Sequence, residues 1–484
     1  MLRCGRGCGC GIGWLMEICR LIAAGMLGGV VGAACSAQNA ATLAPTPPMG
    51  WNSWDAYGLT INEADFKANA AVLASIKQYG WQYAVIDEGW YLQDPFASTT
   101  ETQKFVYDQH GRLIPALNRF PSAANGAGLK PLADWVHGQG LKFGIHLIRG
   151  IPRESVRDDR PIADSKFTAK EAADTSDVCP WNQDNYGIRD NAAGQAWYDS
   201  IMALYAGWGI DYLKIDCISD RPYKGSEIRQ VAAAIKKTGR PIVLSLSPGP
   251  TNLEHAEEVG KFANLWRISD DHWDVWSHVP DKTKNPPEGE FPTGTLQAFD
   301  RLEAWQPYVK PGNWPDEDML PFGNLTPHPG WGEARQSRFT HNEEQTEFIL
   351  WCITRSPLIL GTNLTKLDPF TRSLITNKEL IRMDQGTLSS EPVKNLPSGM
   401  EHVRVWTAAE SGWRGTGPRY VAIFNLDDKP VSLHFTWAQL GLKSGDQGAV
   451  DVLNGFKAPK GVEKTLPAHG SVAYRNLEPL VGPK

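Results

Sequence analysis

Two segments of the sequence each end an apolar stretch with carboxylate side chains. Asp216 closes the first, residues 211–217, and Asp270 and Asp271 lie in the second, residues 266–273. Each segment predicts a β-strand with its acid at the C-terminal end, where barrel enzymes place their chemistry. Two carboxylates presented there can divide the roles of nucleophile and general acid/base at the anomeric carbon of a sugar. The pair therefore indicates the chemistry of glycosidic bond cleavage.

Lys214 lies two residues before Asp216. In a β-strand both side chains then point to the same face. A cation beside a carboxylate lowers the pKa of the carboxylate and keeps it ionised, as a glycosidic nucleophile requires. The alternative is a structural ion pair at the end of a strand.

Asp270 and Asp271 are adjacent acids close to Trp273. Either could have the raised pKa that a general acid needs near neutral pH. The alternative is that they cap the N-terminus of a helix together with Ser269, since Ser and Asp are both good capping residues.

A further acidic strand end is formed by Asp87 and Glu88, which precede Trp90. These carboxylates could accept hydrogen bonds from sugar hydroxyl groups, and the indole could stack on a sugar face. Alternatively, the two acids are loop residues that cap the next helix. Asp316 or Asp318 would supply a fourth acidic strand end.

Apolar runs alternate with amphipathic stretches over residues 46–388. This alternation predicts an α/β fold, a (β/α)8 TIM barrel, because continuous apolar strands suit a parallel sheet covered by helices. The alternative is an open doubly wound sheet, but no strand is followed by the Gly-x-Gly-x-x-Gly signature. The predicted strands are residues 49–54, 83–90, 141–148, 211–217, 241–247, 265–269, 319–322 and 357–362, and the predicted helices are residues 63–79, 129–138, 195–207, 224–237 and 346–353.

Residues 392–484 have a different pattern, in which short alternating segments are separated by turn residues. This pattern predicts a C-terminal antiparallel β-sandwich domain. The turn at residues 427–430 predicts a hairpin between its flanking strands. The predicted strands are residues 402–406, 420–425, 431–435, 449–453 and 471–474.

The first 37 residues differ from the rest, because arginines precede an apolar stretch that ends in small residues. Residues 1–37 therefore predict a cleaved signal peptide and an exported protein, periplasmic or secreted, with lipid anchoring at Cys35 as the alternative. Only Cys179, Cys217 and Cys352 lie beyond this leader. This odd, sparse set does not predict a disulfide framework, and its spacing does not predict a zinc site.

Composition excludes several classes of partner. The net charge is −6 and there is no long basic run, which argues against nucleic acid. No apolar run beyond the leader reaches the length of a membrane span. No metal or cofactor is needed, since the carboxyl pair alone can perform the chemistry. The sequence of 484 residues contains 19 Trp, in keeping with a carbohydrate as the partner, and it does not determine the oligomeric state.

Seven motifs occur in an order that resembles glycoside hydrolase family 27, the α-galactosidase or melibiase family. They begin with the sequence Pro-Pro-Met-Gly-Trp-Asn-Ser-Trp, which is highly specific, and the resemblance covers residues 46–384. The motifs are residues 47–54, 86–90, 141–145, 212–216, 266–271, 313–320 and 356–360.

The resemblance implies retaining hydrolysis of terminal α-D-galactosyl residues. By position, Asp216 would be the nucleophile and Asp271 the general acid/base, while Asp270 stands where the family usually has a small residue. The resemblance also implies a set of substrate contacts: Asp87 on the 4- and 6-hydroxyls, Lys214 on the 3- and 4-hydroxyls, Arg267 on the 2-hydroxyl, and Trp54 and Trp90 as pocket walls.

Departures from the family pattern leave other sugars open. Glu88 is followed by Gly89 where eukaryotic members have a cysteine, and Ser247 stands where α-galactosidases have a bulky Glu near the 2-hydroxyl. A small residue there leaves room for a 2-acetamido group. The family also contains β-L-arabinopyranosidases and enzymes that release isomaltosyl units.

The stretch after the third predicted strand is longer than a barrel loop needs to be, so it predicts a cover for the active-site face. His146 and Arg149 in this stretch are candidate subsite residues, although a histidine at a strand end is more often structural. A non-catalytic carbohydrate-binding barrel is the rival from another class.

Overall fold

The structure, a computed structural model, describes residues 43–96, 103–281, 283–284, 291–325, 334–410, 419–440 and 448–477. The predicted leader and Cys35 lie outside the described residues. Eight short buried strands form one parallel sheet, in which each pairs with its neighbours in register. These are β1 Met49–Asn52, β2 Tyr83–Ile86, β3 Lys142–Ile148, β4 Tyr212–Asp216, β5 Val243–Leu246, β6 Leu265–Arg267, β7 Trp314–Asp316 and β8 Leu358–Leu360.

The two edge strands of this sheet, β7 and β8, meet through Leu320. Its backbone N–H donates to the carbonyl of Ile359 over 2.8 Å, and its carbonyl accepts from the N–H of Gly361 over 3.1 Å. The sheet thus closes on itself, which confirms the predicted (β/α)8 barrel. The prediction of a seventh strand at residues 319–322 is wrong, because the strand lies at Trp314–Asp316. Asp318, at φ 104°, interrupts the extended chain before Leu320.

Helices between the strands cover the outside of the barrel. They are α1 Glu63–Ser75, α2 Lys130–Gly138, α3 Ala192–Trp208, α4 Gly225–Thr238, α5 Ala256–Phe262, α6 Thr295–Trp305, α7 His341–Thr354, α8 Pro369–Ile375 and α9 Lys378–Gly386. Helix α3 shows how local sequence sets the bounds. The Asn191 side chain accepts from the N–H of Gly194 at its start, and Gly209 takes a left-handed φ of 89° just past its end.

The second domain consists of a six-stranded and a two-stranded antiparallel sheet, so the β-sandwich prediction is confirmed. The six-stranded sheet begins at Thr387. The strands in chain order are β9 Thr387–Pro392, β10 Val403–Glu410, β11 Tyr420–Asn425, β12 Val431–Thr436, β13 Ala449–Asp451, β14 Lys457–Ala458, β15 Gly461–Leu466 and β16 Ser471–Asn476.

The predicted hairpin across residues 427–430 is wrong. Strand β11 pairs with β10 and β16 in the larger sheet, whereas β12 crosses over and pairs with β15 in the smaller one. The turn therefore links two sheets rather than two neighbouring strands. Burial explains this difference, since alternate residues of β12 (Leu433 and Phe435) are buried in the core between the sheets.

Helix α7 connects the barrel to the sandwich. The Gln345 amide donates to the carbonyl of Ser471, and the Thr346 hydroxyl donates to the carbonyl of His469. Nearly all of α7 is buried, because the barrel lies on one side and the sandwich on the other. Over the described ranges, the structure contains no helix with the length and apolar character needed to cross a bilayer.

The long stretch after β3 contains a small three-stranded antiparallel sheet with strands Ile151–Pro152, Ala173–Val178 and Asn185–Ile188. The connection between its second and third strands contains Cys179, Trp181 and Asn182. We call residues 179–184 the cover loop.

Candidate active site

A cavity of about 450 Å³ opens at the C-terminal ends of the barrel strands. Its size is in the range of small-molecule sites. It is lined by most of the predicted site residues, namely Trp54, Asp87, Glu88, Lys214, Asp216, Ser247, Arg267, Asp270 and Asp271. The structure thus brings together predicted site residues from five different strand ends, and both candidate catalytic acids belong to the same cavity.

Asp216, at the end of β4, is held as an anion. Burial alone would raise the pKa of its carboxyl, but His146 and Lys214 outweigh this effect, so the pKa of Asp216 is lowered. The His146 Nε2 lies 3.9 Å from Asp216 Oδ2, and the N–H of Cys217 donates to Oδ1 over 2.8 Å. An ionised carboxylate at the floor of the cavity is what a glycosidic nucleophile requires.

Asp271 has the opposite electrostatic environment. Burial raises its pKa, the cation of Arg267 lowers it in part, and the charges of Asp318 and Asp216 raise it, so that the pKa of Asp271 is about 6. A carboxyl with this pKa is protonated in a mildly acidic solution and can act as a general acid. Two acids of one cavity therefore have pKa values displaced in opposite directions.

Asp270 points to a different partner. Its Oδ2 lies 3.1 Å from the Nη1 of Arg221, and its Oδ1 accepts the N–H of Asp271 over 2.9 Å. Both carboxyl oxygens are engaged within the protein. The structure thus favours Asp271 over Asp270 as the acid that faces a substrate.

Arg267 is fixed between two acids. Its Nη2 lies 2.6 Å from Asp318 Oδ2 and 3.3 Å from Asp271 Oδ1. Burial lowers the pKa of the guanidinium, but the surrounding carboxylates raise it by more. The pKa of Arg267 is therefore raised overall, and the side chain stays charged. This cation, only 3% exposed, can donate a hydrogen bond to a substrate hydroxyl and holds Asp271 in position.

Asp87, at the end of β2, is the acceptor for a buried polar cluster. Its Oδ2 accepts from the Asn52 amide over 2.6 Å and from Lys214 Nζ over 2.9 Å. Burial raises the pKa of Asp87, but the charges of Lys214 and His146 reverse the shift, and the pKa is strongly lowered. Lys214, which was predicted to share a strand face with Asp216, thus also binds the carboxylate of Asp87 on a different strand of the barrel.

Glu88 projects into the same cavity from the residue after Asp87. Its Oε1 accepts from the Asn182 side-chain amide of the cover loop over 2.9 Å. Burial raises the pKa of Glu88 to about 7, and His146 lowers it in part. This contact fixes the carboxyl group over the cavity.

Three predicted site residues lie elsewhere. Trp90 is fully buried and packs edge-on against Trp208, so it is not a pocket wall. Arg149 is buried in ion pairs with Asp177 and Glu227, each at 2.8 Å, and is not a subsite residue. His146 is 1% exposed and lies behind the cavity lining, next to Asp216. The side chains of Trp90 and Arg149 pack away from the cavity, whereas the His146 imidazole lies beneath its lining against Asp216.

Several residues of the cavity were not predicted as site residues from the sequence. Asp55 is buried beside Trp54, and burial raises its pKa well above the usual range. Trp181 and Asn182 come from the cover loop, and Arg221 comes from the loop after β4. The sequence signal was the unusual length of the stretch after β3, which indicates a cover without identifying its contacts.

Cys179 and Cys217 form a disulfide, which the sequence analysis failed to predict. The two cysteines are separated by 38 residues, and folding brings the cover loop to the residue after Asp216. With only three cysteines beyond the leader, spacing gave no indication of this pair. The disulfide ties the cover loop to the end of β4.

We expect Cys179→Ser to lower the thermal unfolding temperature by about 5 °C, because the crosslink of this length removes about 4 kcal/mol of chain entropy from the unfolded state. Thermal unfolding of the wild type with and without a thiol reductant provides the control. The reductant should lower the wild-type midpoint toward that of the variant and leave the variant unchanged. A wild-type midpoint equal to that of Cys179→Ser without reductant would contradict the prediction.

Comparisons with known proteins agree with this fold. A family model described as alpha galactosidase A matches residues 191–386, and one described as alpha galactosidase C-terminal beta sandwich domain matches residues 401–476. A crystal structure of a GH27 β-L-arabinopyranosidase from Geobacillus stearothermophilus is 38% identical with a TM-score of 0.82, and the match covers 92% of this chain and 99% of that one.

Named relatives have further specificities. Alpha-galactosidase A of Cellvibrio japonicus (strain Ueda107) is 28% identical over 92% of this chain and 95% of its own. Alpha-N-acetylgalactosaminidase of Gallus gallus is 26% identical over 83% of this chain and 85% of its own. These similarities confirm the resemblance seen in the motifs, and the chain belongs to glycoside hydrolase family 27.

Proposed function

We propose that this protein is a retaining glycoside hydrolase that removes terminal sugars with the ring configuration of α-D-galactose, and that its preferred substrates are β-L-arabinopyranosides. The observation that carries the hydrolase proposal is the pair Asp216 and Asp271 in one cavity, with pKa values displaced in opposite directions. An ionised acid and a protonated acid are the two groups that double displacement needs.

The reaction has two steps. The Asp216 carboxylate attacks the anomeric carbon while protonated Asp271 donates its proton to the leaving oxygen, which produces a covalent glycosyl-enzyme and releases the leaving group. The Asp271 carboxylate then takes a proton from water, and the water oxygen displaces Asp216. Two inversions at one carbon restore the original anomeric configuration.

The remaining lining residues would hold the sugar. Asp87 would accept hydrogen bonds from the 4-hydroxyl and, in galactose, from the 6-hydroxyl. Lys214 would contact the 3- and 4-hydroxyls, and Arg267 would donate to the 2-hydroxyl. Trp54 offers an apolar surface. The charged partners of Asp87 and Arg267 fix these groups before a substrate arrives, which lowers the entropic cost of binding.

Glu88 is the residue that favours a pentopyranose. β-L-arabinopyranose and α-D-galactopyranose share the same ring configuration and differ by the hydroxymethyl group on the ring carbon of galactose. The Glu88 carboxyl lies beside Asp87, and the Asn182 amide holds it in the cavity. With Asp87 bound to the 4-hydroxyl, the neighbouring Glu88 carboxyl would take up the space that the hydroxymethyl group of galactose needs. The named specificity of the Geobacillus relative supports this choice.

Terminal α-D-galactosides are the second candidate substrate. The two matching family models carry the name alpha galactosidase, and so does the Cellvibrio relative. Asp87, Lys214 and Arg267 would serve a galactose ring equally well, since none of them needs the hydroxymethyl group to be absent.

Ser247 suggests a related substrate, the 2-acetamido analogue of an α-D-galactoside. It lines the cavity and is a small residue where a bulky one would contact the 2-position. A 2-acetamido group could fit there, and one relative is named alpha-N-acetylgalactosaminidase. Substrates for the test should therefore include this sugar.

We expect the wild type to prefer an aryl β-L-arabinopyranoside over the matched α-D-galactopyranoside and its 2-acetamido analogue. Glu88→Asp shortens the side chain by one methylene and should raise the ratio of kcat/KM for galactoside over arabinopyranoside by about tenfold or more. Steady-state rates on the three aryl glycosides measure this.

Glu88→Gln is the matched control for this experiment. It keeps the length of the side chain and the acceptor for Asn182, so the preference for the pentose should persist. A wild-type preference for the galactoside, or a Glu88→Asp ratio equal to that of the wild type, would contradict the pentose proposal and leave the α-galactosidase candidate.

Export is also part of the proposal. The leader at residues 1–37 indicates secretion, and the Cys179–Cys217 disulfide supports it, because disulfides form and persist in oxidising compartments. The protein would then meet its carbohydrate substrate outside the cytoplasm.

A further inference from the structure

An aromatic ring and a guanidinium group lie together at the outer edge of the cavity. Trp181 is 43% exposed, and it lines the same cavity as Asp216 and Asp271. The Arg221 guanidinium carbon lies 5.3 Å from the centre of the Trp181 ring. A large aromatic surface left open beside a sugar pocket is suited to stacking on a second sugar ring.

The position of Trp181 is fixed on both sides of the residue. Two residues before it, Cys179 is bonded to Cys217, the neighbour of Asp216. One residue after it, the Asn182 amide donates to Glu88 in the cavity. The backbone at Trp181 is therefore held at a set place relative to Asp216 and Glu88, as a subsite requires.

Arg221 is fixed as well. Its Nε lies 2.6 Å from Asp220 Oδ2, its Nη1 lies 3.1 Å from Asp270 Oδ2, and its Nη2 donates to the Gly249 carbonyl over 3.0 Å. This explains why an acid stands at position 270 beside the general acid/base candidate. Asp270 orients the cation that packs over Trp181.

We propose that Trp181 and Arg221 form the subsite for the leaving group, and that this subsite takes a neutral pyranose ring. The inference rests on the proposed glycosidase function and adds to it what lies on the far side of the scissile bond. Trp181 would supply the stacking face, and Arg221, oriented by Asp220 and Asp270, would supply hydrogen-bond donors for ring hydroxyls.

Charge determines the kind of sugar. Arg221 carries one positive charge and pairs with two carboxylates, those of Asp220 and Asp270. This cluster therefore has an excess of negative charge. A uronic acid would be repelled there, and its carboxylate would find no free cation in the cluster. A neutral pyranose requires only hydrogen bonds and an apolar face.

The test compares two substrates that share one glycone. One is a glycosyl fluoride, whose leaving atom is too small to reach Trp181, and the other is a disaccharide with a neutral hexose as leaving group. For Trp181→Ala we expect the ratio of kcat/KM for disaccharide over fluoride to fall about tenfold, with Trp181→Phe restoring most of it. A disaccharide whose leaving group is a uronic acid should be a poor substrate for the wild type.

Phe456→Ala is a matched control, because Phe456 is an aromatic residue of the C-terminal domain that is 73% exposed. This variant should keep the wild-type ratio. An unchanged ratio in Trp181→Ala, or a uronate leaving group accepted as well as the neutral one, would overturn the proposal.

A binding measurement separates this proposal from the proposed function. In the Asp216→Asn variant, which should not cleave the disaccharide, NMR should show saturation transfer from the protein to the protons of the leaving-group ring. Adding Trp181→Ala should abolish this transfer. That result, together with a wild type that hydrolyses neither substrate, would retain the subsite and refute the hydrolase. Hydrolysis of the fluoride with no signal on the leaving-group ring would refute the subsite alone.

Discussion

Asp216→Asn is expected to reduce kcat/KM for an aryl glycoside on the order of 10⁴-fold, because the amide cannot form the covalent glycosyl-enzyme. The substitution keeps the shape of the side chain. An amide oxygen also remains to accept the N–H of Cys217, which donates to Asp216 Oδ1 in the native protein. Loss of activity with an unchanged unfolding temperature would thus report lost chemistry rather than lost structure.

Asp216→Gly provides a second measurement of the same role. The space left by the carboxylate can admit a small anion, so added azide should restore turnover and give a glycosyl azide of inverted configuration. In the wild type, NMR of the first-formed sugar should show the same anomer as the substrate. These two stereochemical outcomes together distinguish a nucleophile from a residue that only binds.

Asp270→Asn is the matched control for the Asp216 variants, since it removes a carboxylate that lines the same cavity and pairs with Arg221. We expect its kcat/KM on the fluoride to fall far less than that of Asp216→Asn. An Asp216→Asn enzyme that retained a tenth of wild-type activity would refute the nucleophile role, and so would an inverted product from the wild type.

Asp271→Ala should slow the hydrolysis of different substrates to an extent that depends on their leaving group. A poor leaving group such as a sugar needs the proton of Asp271, so we expect its hydrolysis to fall on the order of 10³-fold, within the range for general acid catalysis. An activated leaving group such as a dinitrophenolate departs without a proton, so formation of the glycosyl-enzyme from that substrate should remain fast. A pre-steady-state burst of the phenolate measures this first step directly.

The pH dependence of the wild type follows from the same residue. A general acid must be protonated, and burial raises the pKa of Asp271 to about 6, so kcat/KM should fall as the pH rises above about 6. Asp216 must be ionised, and its pKa is lowered, so the acidic limb should lie below the usual pKa of an aspartate. The maximum should therefore lie in mildly acidic solution.

Asp271→Ala on the activated substrate should show no basic limb near pH 6, in contrast to the wild type on a substrate with a sugar leaving group. Equal losses on good and poor leaving groups would contradict the acid/base role of Asp271, and so would a basic limb that persists in the variant. In that case Asp270→Ala, which should not change the dependence on leaving group, becomes the variant to compare.

The sequence by itself determined the architecture and the candidate catalytic pair. Apolar strands such as residues 212–216 end in acids, and the strict order of strands and helices sends all of these ends to one face of a barrel. Asp216 and Asp271 meet for that reason, and no knowledge of long-range contacts was needed. The alternation of β10 and β11 likewise predicted a second, antiparallel domain.

Tertiary structure decided what each side chain contacts. Asp270 and Asp271 are neighbours, yet one pairs with Arg221 and the other with Arg267, because adjacent residues at a strand end point in different directions. Trp90 follows the acidic strand end, but packs behind the sheet against Trp208. Local spacing fixes the face of a strand but does not fix the course of the loop beyond it.

The cover loop shows the same limit most clearly. Cys179 and Cys217 pair across 38 residues, and Trp181 and Asn182 reach the cavity only because the small three-stranded sheet folds back over the barrel. Such contacts depend on how a long insertion closes on itself, a property of the whole packed chain rather than of any periodic pattern. The sequence thus determined the floor of the site and its candidate catalytic acids. The folded chain determined the rim, since rim residues come from loops that only tertiary packing positions.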